Sequence, residues 1–592
     1  MIKRLFDIVA KRAADEPDAV MLAAKENGQW RTYSCADVYN TARKLCGGLL
    51  SLGIEHKSDA PEQLEKIAII SPNRPEWIMT DVAVQMAGAV LTPVYPTIST
   101  AEMTYILKDS EIHTVFVANK ELYDRFKESF DQVVSLKNIY TFDDVPGVSS
   151  WKELIDKNLK PNEGIIHHIK DTTLATIIYT SGTTGSPKGV MLSHKNIVSN
   201  VMDCMPEFTF AEKGGRALSF LPLNHIFERT VTYVYLNEGI QVYYAESMET
   251  IGDNLREVQP IVFTTVPRLL EKVYERILGK GMELTGVKRK LFFWALGLGK
   301  NYDNVNQGSW WYRMQLKLAN RIIFSKWREA LGGKVKAIVT GSAPCQERLI
   351  RIFSAAGIVI MEGYGLTETS PVVSVNKFVS DGRRIGSIGP LIQNVEAKIA
   401  EDGEILVRGN NIMMGYYKRP DLTKEVISNG GWFHTGDIGQ WVEGRFLKIT
   451  DRKKEIFKTS GGKYVAPQVI ENKMKESMFI EQMIVIGSSR KFVSALIVPA
   501  FVHIRKYLSD NGVNVPEDNR ALVQMPEVKE LVQKQIDRYN TQFSHPEQIK
   551  KFVLLPNEWT IDTGELTPSI KVKRKFIEQR YANEIESLYT AA

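Results

Sequence analysis

Short apolar runs recur through the first 450 residues, each separated from the next by a stretch with helical spacing. Ile67-Ala-Ile-Ile70 is apolar at consecutive positions, the mark of a strand buried on both faces, and Ser71-Pro-Asn-Arg-Pro75 closes it. A helical pattern follows from about Glu76 to Gly88, then a second strand, Ala89-Val-Leu-Thr-Pro-Val94. The alternation continues through Thr114-Val-Phe-Val117, Asn138-Ile-Tyr-Thr141, Leu174-Ala-Thr-Ile-Ile178, Val190-Met-Leu192, a strand-then-helix reading of 260–274, Lys334–Thr340 and Ile358-Val-Ile-Met361. Such alternation predicts an α/β fold of parallel sheets layered with helices. After Leu192, Ser193 is a candidate N-cap for a helix carrying Ile197, Val198, Val201, Met202 and Met205 at helical spacing. Another helix is expected to end near Ala356, with Gly357 as its cap. Residues 1–60 read as helices around a short segment in which Trp30-Arg-Thr-Tyr33 resembles a strand edge.

The pattern changes character in three places. Residues 276–328 are helical and carry eleven Lys/Arg against two acidic residues, interleaved with Phe292, Phe293, Trp294, Trp310, Trp311, Phe324 and Trp327. A basic, aromatic helical region of this kind either packs its apolar faces on the core or lies on an anionic bilayer surface. Residues 385–450 have shorter strands set apart by glycines, Ile385-Gly-Ser-Ile-Gly389 and Gly403-Glu-Ile-Leu-Val-Arg-Gly409 among them, which predicts a small β-barrel or sheet. Beyond it, Asp451-Arg-Lys-Lys454 opens a stretch dense in charge and glycine, as a domain junction would be. The expected division is a large domain over 1–450 and a small α/β domain over 451–592, with the hinge at 451–454. In the small domain 467–477 and 527–539 read as helices, 482–486 and 494–498 as strands.

Bulk properties narrow the function classes. At 592 residues the chain exceeds what one core holds, so more than one unit is expected. A net charge of +6 is too mild to imply a nucleic-acid partner. Cys35, Cys46, Cys204 and Cys345 are scattered without CxxC spacing, which argues against a structural zinc site or a disulfide framework and fits a reducing compartment. The first residues, Met1-Ile-Lys-Arg-Leu-Phe6, lack the long apolar core of a signal peptide, and no run approaches the ~20 apolar residues that span a bilayer. The expected location is the cytoplasm, with peripheral attachment to the inner membrane face through 276–328 left open, as is a homodimer.

The candidate chemistry centres on Tyr179-Thr-Ser-Gly-Thr-Thr-Gly-Ser-Pro-Lys-Gly189. Thr180, Ser181, Thr183 and Thr184 offer hydroxyls, Gly182, Gly185 and Gly189 let the backbone turn tightly, and Lys188 adds a compact positive charge. Inward backbone N–H groups, hydroxyls and a lysine make a cradle for polyphosphate. It is not a P-loop, which needs Gly-Lys-Ser/Thr leading directly into a helix; here Pro187 precedes the lysine and Gly189 follows it. Further segments sit at expected strand ends, where α/β proteins bind ligands: Leu218–Arg229 with His225, Gly341-Ser-Ala-Pro344, and Glu362-Gly-Tyr-Gly-Leu-Thr-Glu368. Gly431-Trp-Phe-His-Thr-Gly-Asp437 ends on an aspartate able to accept two hydrogen bonds from a diol. Near the C-terminus lies the basic segment Thr563–Arg574, with Lys571 and Lys573.

These strings, in this order, resemble the motifs of the adenylate-forming superfamily, and within it the long-chain fatty-acid–CoA ligases. The resemblance covers nearly the whole chain. It implies activation of a long-chain fatty acid with MgATP to an acyl adenylate, then transfer to coenzyme A with release of AMP and pyrophosphate. It also allows another carboxylic acid, or a carrier-protein thiol as acceptor. By residue, it implies that Thr180, Ser181, Gly182, Thr183, Thr184, Gly185 and Lys188 cradle phosphates, and that Gly341, Ser342, Ala343, Glu362, Gly363 and Gly365 line the nucleotide. Tyr364 would stack on adenine, Thr367 would touch the α-phosphate, and Glu368 with Thr184 would hold Mg²⁺. Asp437 and Arg452 would bind the ribose, Lys454 would be the pivot, and Gly461 and Gly462 would line the pantetheine path. His225 would lie near the acyl carboxylate, the alternative being a structural histidine. The small domain would be mobile and deliver the adenylation lysine, Lys571 or Lys573; many members show Ser-Gly-Lys where this chain has Ser-Ile-Lys571.

Overall fold

The computed structural model describes residues 2–180, 187–306, 308–567 and 571–590. Two eight-stranded sheets form the bulk of the molecule. One carries Leu174–Thr180 beside Val90–Val94, Lys66–Ile70 and Thr114–Val117; the other carries Arg216–Ser219, Val262–Thr265, Ala337–Thr340 and Val359–Gly365. Strand residues alternate between an inner and an outer core, as the pleat requires. Ile67 and Ile69 join the core shared by the two sheets, whereas Ala68 and Ile70 face an outer cluster under helices Thr100–Asp109 and Lys120–Asp131. In the second sheet Ala337 and Val339 face inward, and Ile338 joins the outer core under helices Pro267–Glu283, Gly286–Lys300 and Glu347–Ala355.

Helix Pro75–Ala87 lies in the inner core, and all but one of its residues are buried. Its sequence shows why: it has almost no polar face to turn to water. Helix Ile226–Glu238 is its neighbour, and the two are tied by charge. Arg229 and Asp81 are both fully buried and paired at 2.6 Å. Asp81 also accepts from the Tyr233 hydroxyl at 2.8 Å, and Arg229 donates to the Thr176 hydroxyl at 2.9 Å. This network locks both inner helices to strand Leu174–Thr180, which leads into the phosphate-loop sequence.

Several expectations need correction. The sheets are mixed rather than parallel: Leu174–Thr180 pairs antiparallel with Lys188–Ser193, because the loop 181–187 is too short for a parallel crossover. Val20–Glu26 supplies the partner of Gln29–Ser34, a strand the sequence pattern had not disclosed. The strand expected over 334–340 begins only at Ala337. The strand ahead of His225 spans Arg216–Ser219. Ile385–Gly389 is not a strand: Gly386 and Gly389 have φ of +88° and +81°, which breaks the extended run. It still lies along its neighbour, with Ile388 N–H donating to the Leu447 carbonyl and Leu447 N–H to that of Gly389.

Other expectations hold closely. Ser193 caps helix His194–Cys204, its hydroxyl accepting from Asn196 N–H at 3.2 Å. Residues 395–452 contain a four-stranded antiparallel sheet. The C-terminal segment has its own apolar core, with residues from Val465 to Ile585 gathered on a three-stranded sheet. The basic stretch 276–328 is helical and its inner face does pack on the core, through Phe292, Ala295, Phe324 and Trp327.

Candidate active site

Four strands, one from the first sheet and three from the second, lead to one cavity of about 1270 Å³. Strand Leu174–Thr180 delivers Thr180 to its wall; Arg216–Ser219 leads to His225; Ala337–Thr340 to Gly341 and Ser342; Val359–Gly365 to Tyr364, Thr367 and Glu368. Arg452, Lys454, Lys571 and Lys573 close the opposite side. Ser181, Gly182, Thr183, Thr184 and Gly185 lie outside the described residues.

His225 is set by its surroundings. Asn73, in the turn after Lys66–Ile70, accepts from Leu223 N–H at 2.9 Å and donates to the Leu221 carbonyl at 2.7 Å. Asn224 donates to the Val94 carbonyl at 2.8 Å. The turn so pinned places His225 at the N-cap of Ile226–Glu238, with Nδ1 accepting from Phe227 N–H at 3.1 Å. Burial, with the Lys571 charge acting in the same sense, pushes the imidazole down to about 3, so it is neutral near pH 7. With Nδ1 an acceptor, the proton sits on Nε2, which is then a donor.

Tyr364 is buried and donates to Asp437 Oδ2 at 2.6 Å; Arg452 Nε lies 3.3 Å from the other oxygen of that carboxylate. Burial raises the Asp437 pKa, with Arg452, Tyr364 and Lys571 opposing it. Gly365 can be nothing larger, since a Cβ there would run into the Pro371 carbonyl. That close approach turns the chain so that Thr367 and Glu368 face the cavity. Ser342 sits at φ +69°, a conformation a serine adopts only when its surroundings hold it.

Glu368 accepts from the Tyr416 hydroxyl at 2.8 Å, and the Tyr416 ring lies 5.0 Å from Lys188 Nζ. The segment Gly415–Tyr416 pairs with Val190–Met191, and Met413 N–H donates to the Glu368 carbonyl. Tyr416 therefore joins Glu368 to Lys188 and the start of strand Lys188–Ser193, and the sequence reading missed it. A Gly-Tyr-Tyr triplet carries no chemical signature of its own; only the strand pairing reveals it.

Lys571 is held to Thr567, its N–H donating to the Thr567 hydroxyl at 3.0 Å and its carbonyl accepting from Thr567 N–H. Burial lowers its pKa to about 8; Arg452 acts in the same sense, and the carboxylates of Asp437 and Glu368 oppose it. Lys573 also lines the cavity, but as the N-cap of helix Arg574–Arg580. Of the two lysines, Lys571 is the one set among Arg452, Asp437 and Glu368.

Not every sequence-derived residue reaches the cavity. Glu362 is buried behind it, accepting from Cys345 N–H at 2.8 Å, with its carboxyl pushed up to about 8 by burial. Ala343 is exposed, outside the lining. Lys188 packs on Tyr416, and Asp437 acts through Tyr364 and Arg452. Gly461 and Gly462 sit exposed in the turn between Phe457–Lys458 and Tyr464–Val465, away from the lining.

Another part of the cavity is largely apolar. Phe227, Thr230, Val231 and Val234 form one face of helix Ile226–Glu238 along it. Opposite are Val339, Met361 and Val375, and Phe208 also lines it. Glu207, buried and paired with Lys377 at 2.7 Å, lines it as well. From His225 to Val234 the helix advances about 13 Å. One cavity thus has a part lined by charged groups and an apolar part along helix Ile226–Glu238, with the neutral histidine donor among its lining.

Residues 9–417 match the family model of the AMP-binding enzyme, and residues 454–592 that of the AMP-binding enzyme C-terminal domain. The chain belongs to the AMP-binding enzyme family. A family member from Mycobacterium tuberculosis, the long-chain-fatty-acid–CoA ligase FadD15, is 32% identical over 597 residues, covering 98% of this chain and 96% of its own. Long chain acyl-CoA synthetase 4 of Arabidopsis thaliana is 30% identical, covering 99% and 91%. Among solved structures, the adenylation domain of a carboxylate reductase from Mycobacterium chelonae superposes with a TM-score of 0.78 at 20% identity, over 99% of this chain and 91% of that one. The o-succinylbenzoate coenzyme A synthetase of Bacillus subtilis, solved with ATP and magnesium, gives 0.67 at 18%, over 96% and 98%. At these identities the solved structures establish the fold: mixed sheets and helices, a half-barrel sheet and a C-terminal domain.

Proposed function

We infer that the protein is a long-chain-fatty-acid–CoA ligase, which forms an acyl adenylate from MgATP and passes the acyl group to coenzyme A. The observation that carries this is the joined cavity, with Lys571, Glu368, Tyr364 and Arg452 around its polar part and the face of helix Ile226–Glu238 along its apolar branch. Full-length relatives at about 30% identity bearing that name support it.

In the first half-reaction a carboxylate oxygen attacks the α-phosphorus of ATP and the bond to pyrophosphate breaks. Two anions must meet while charge grows on the leaving group, so positioned cations and donors supply the acceleration. His225 Nε2–H would orient the carboxylate, Tyr364 would stack on the base, and Asp437 with Arg452 would take the ribose. Lys571 would neutralise charge at the phosphates. Glu368, a single carboxylate steadied by Tyr416, suits Mg²⁺, which prefers one or two carboxylates plus phosphate oxygens and water. When bound, that ion would supply positive charge against the phosphates. Thr184 is its second proposed ligand. In the second half-reaction the small domain would turn about Lys454, withdraw Lys571 and bring Gly461 and Gly462 toward the site. The CoA sulfur then attacks the acyl carbon and AMP leaves. The arrangement seen here, with Lys571 at the cavity and the glycine pair outside it, suits the first step.

The test is turnover of purified protein with MgATP and CoA across acetate, octanoate, palmitate, oleate and benzoate, with the thioester identified by mass. Palmitate- or oleate-driven thioester is the expected result. AMP release without thioester would move the acceptor to a carrier-protein thiol.

Two further expectations arise from the geometry. Lys571 is charged below about pH 8 and neutral above it, and the lowered pKa brings that loss within reach of ordinary assay conditions. The kcat/KM for ATP in adenylate formation should be level below about pH 8 and fall about tenfold per pH unit above it. Lys571→Arg should remove that alkaline limb, since a guanidinium does not titrate there. An alkaline limb unchanged in this variant would assign it to another group. Second, Val234→Trp should fill the apolar branch about 13 Å from His225. Activity on oleate should fall at least tenfold while octanoate is spared, read as the ratio of the two kcat/KM values. Equal loss on both acids would place the chain elsewhere.

A further inference from the structure

The outer face of the helical stretch after residue 309 is built unlike the rest of the surface. Helix Trp310–Ala319 runs on through a π-turn, Asn320–Phe324, into Ser325–Ala330. Its inner side is anchored: Ala319, Phe324 and Trp327 are buried in the core. The Tyr312 hydroxyl donates to the Leu298 carbonyl at 2.9 Å, and Gln315 accepts from Trp294 Nε1 at 3.1 Å. Its outer side exposes large apolar groups at every fourth position: Trp310, Met314, Leu318 and Ile322 are 64%, 45%, 49% and 38% exposed, with Trp311 at 64% beside the first. Arg313, Lys317 and Arg321, each one residue before a member of that stripe, are exposed too and form a basic row along it. No acidic residue occurs between Trp310 and Trp327.

The neighbouring helix, Gly286–Lys300, runs antiparallel, since residue 312 meets 298 and residue 315 meets 294. Continuing that register brings its exposed first turn, Val287 and Lys288-Arg289-Lys290, beside Leu318–Ile322. The basic row is therefore reinforced at one end by three more cations.

We propose that this face docks the protein on the headgroup region of an anionic phospholipid bilayer, with the two tryptophans and the apolar stripe in the interface and the basic row against lipid phosphates. The charge fits such a surface and no other feature of the stripe opposes it. Tryptophan favours the membrane interface, where an amphipathic ring has one side greasy and one wet. Lysine and arginine beside an apolar stripe add an attraction that adds up over several residues and is screened by salt. The docking is peripheral: among the described residues no helix is long and apolar enough to cross a membrane. The inference stands on the surface alone and does not depend on the ligase reading.

The experiment is flotation of the full chain with vesicles of phosphatidylcholine, with and without phosphatidylglycerol. Wild type should float with the anionic vesicles, less with the neutral ones, and be released by high salt. Trp310→Ser/Trp311→Ser/Met314→Ser and Arg313→Gln/Lys317→Gln/Arg321→Gln should each weaken binding, the latter by about a hundredfold. All six positions are exposed, so thermal unfolding should be unchanged. Lys506→Gln/Lys529→Gln/Lys534→Gln, which removes as much charge from the C-terminal unit, should float like wild type. No flotation of wild type overturns the proposal, as does equal loss in all three variants. Self-association abolished by the tryptophan variant, with no vesicle binding, would reassign the face to a second copy of the chain.

Discussion

Lys571→Ala is expected to slow acyl-adenylate formation by at least about 10²–10³-fold, the range for removing one preorganised charge-stabilising donor. Thioester formation from a supplied acyl adenylate should stay close to wild type. The asymmetry follows from where the charge is needed. In the first step negative charge moves onto departing pyrophosphate, and Lys571 is the cation from the C-terminal unit that stands with Glu368, Asp437 and Arg452. In the second step the leaving group is AMP and the small domain is expected to have turned away. Lys573→Ala is the comparison: that lysine occupies the N-cap position of helix Arg574–Arg580 with no side-chain capping bond, and its loss should cost much less. Separate assays of pyrophosphate release and of thioester formation from synthetic acyl adenylate measure the two steps. Equal loss in both steps, or a larger loss in the Lys573 variant, would remove Lys571 from this role.

Arg229→Ala should lower stability by about 3–5 kcal/mol, because it leaves the Asp81 carboxylate buried and unpaired. Asp81 would keep only the Tyr233 hydroxyl and Gln85 as donors. The effect should reach the site, since Arg229 lies one turn from His225 and also holds Thr176 of the strand leading to the phosphate loop. Urea unfolding of the large unit and the KM for the fatty acid, measured together, separate these consequences. Arg229→Met/Asp81→Leu, which removes both charges, should recover much of the lost stability. A single variant as stable as wild type would mean that the pair is not what holds the two inner helices.

How much of this was legible in the sequence follows from how local each signal is. The strand Ile67–Ile70 and the cap at Ser193 announce themselves through neighbouring residues, and the structure has both. The order of the site segments could be read because each chemical string is contiguous. What could not be read depends on distant contacts. Val20–Glu26 is a strand because it finds Gln29–Ser34 on one side and Gln241–Tyr244 on the other. Ile385–Gly389 has strand-like composition, yet both its glycines take left-handed conformations, Gly386 passing close to Glu347 and Gly389 to Val375. Tyr416 becomes part of the site through pairing with Val190, more than 200 residues away in sequence. The 276–328 stretch was ambiguous for a different reason: its inner face packs on the core while its outer face leaves large apolar and basic side chains exposed, and composition alone does not separate the two.

The central claim is that a carboxylate oxygen attacks the α-phosphorus of ATP. Palmitate labelled with ¹⁸O in its carboxylate, turned over with MgATP and CoA, tests it directly through the mass of the AMP released. An acyl-adenylate route leaves one labelled oxygen on AMP and one in the thioester carbonyl. AMP without label, with the label in pyrophosphate or retained by water, would contradict the mechanism.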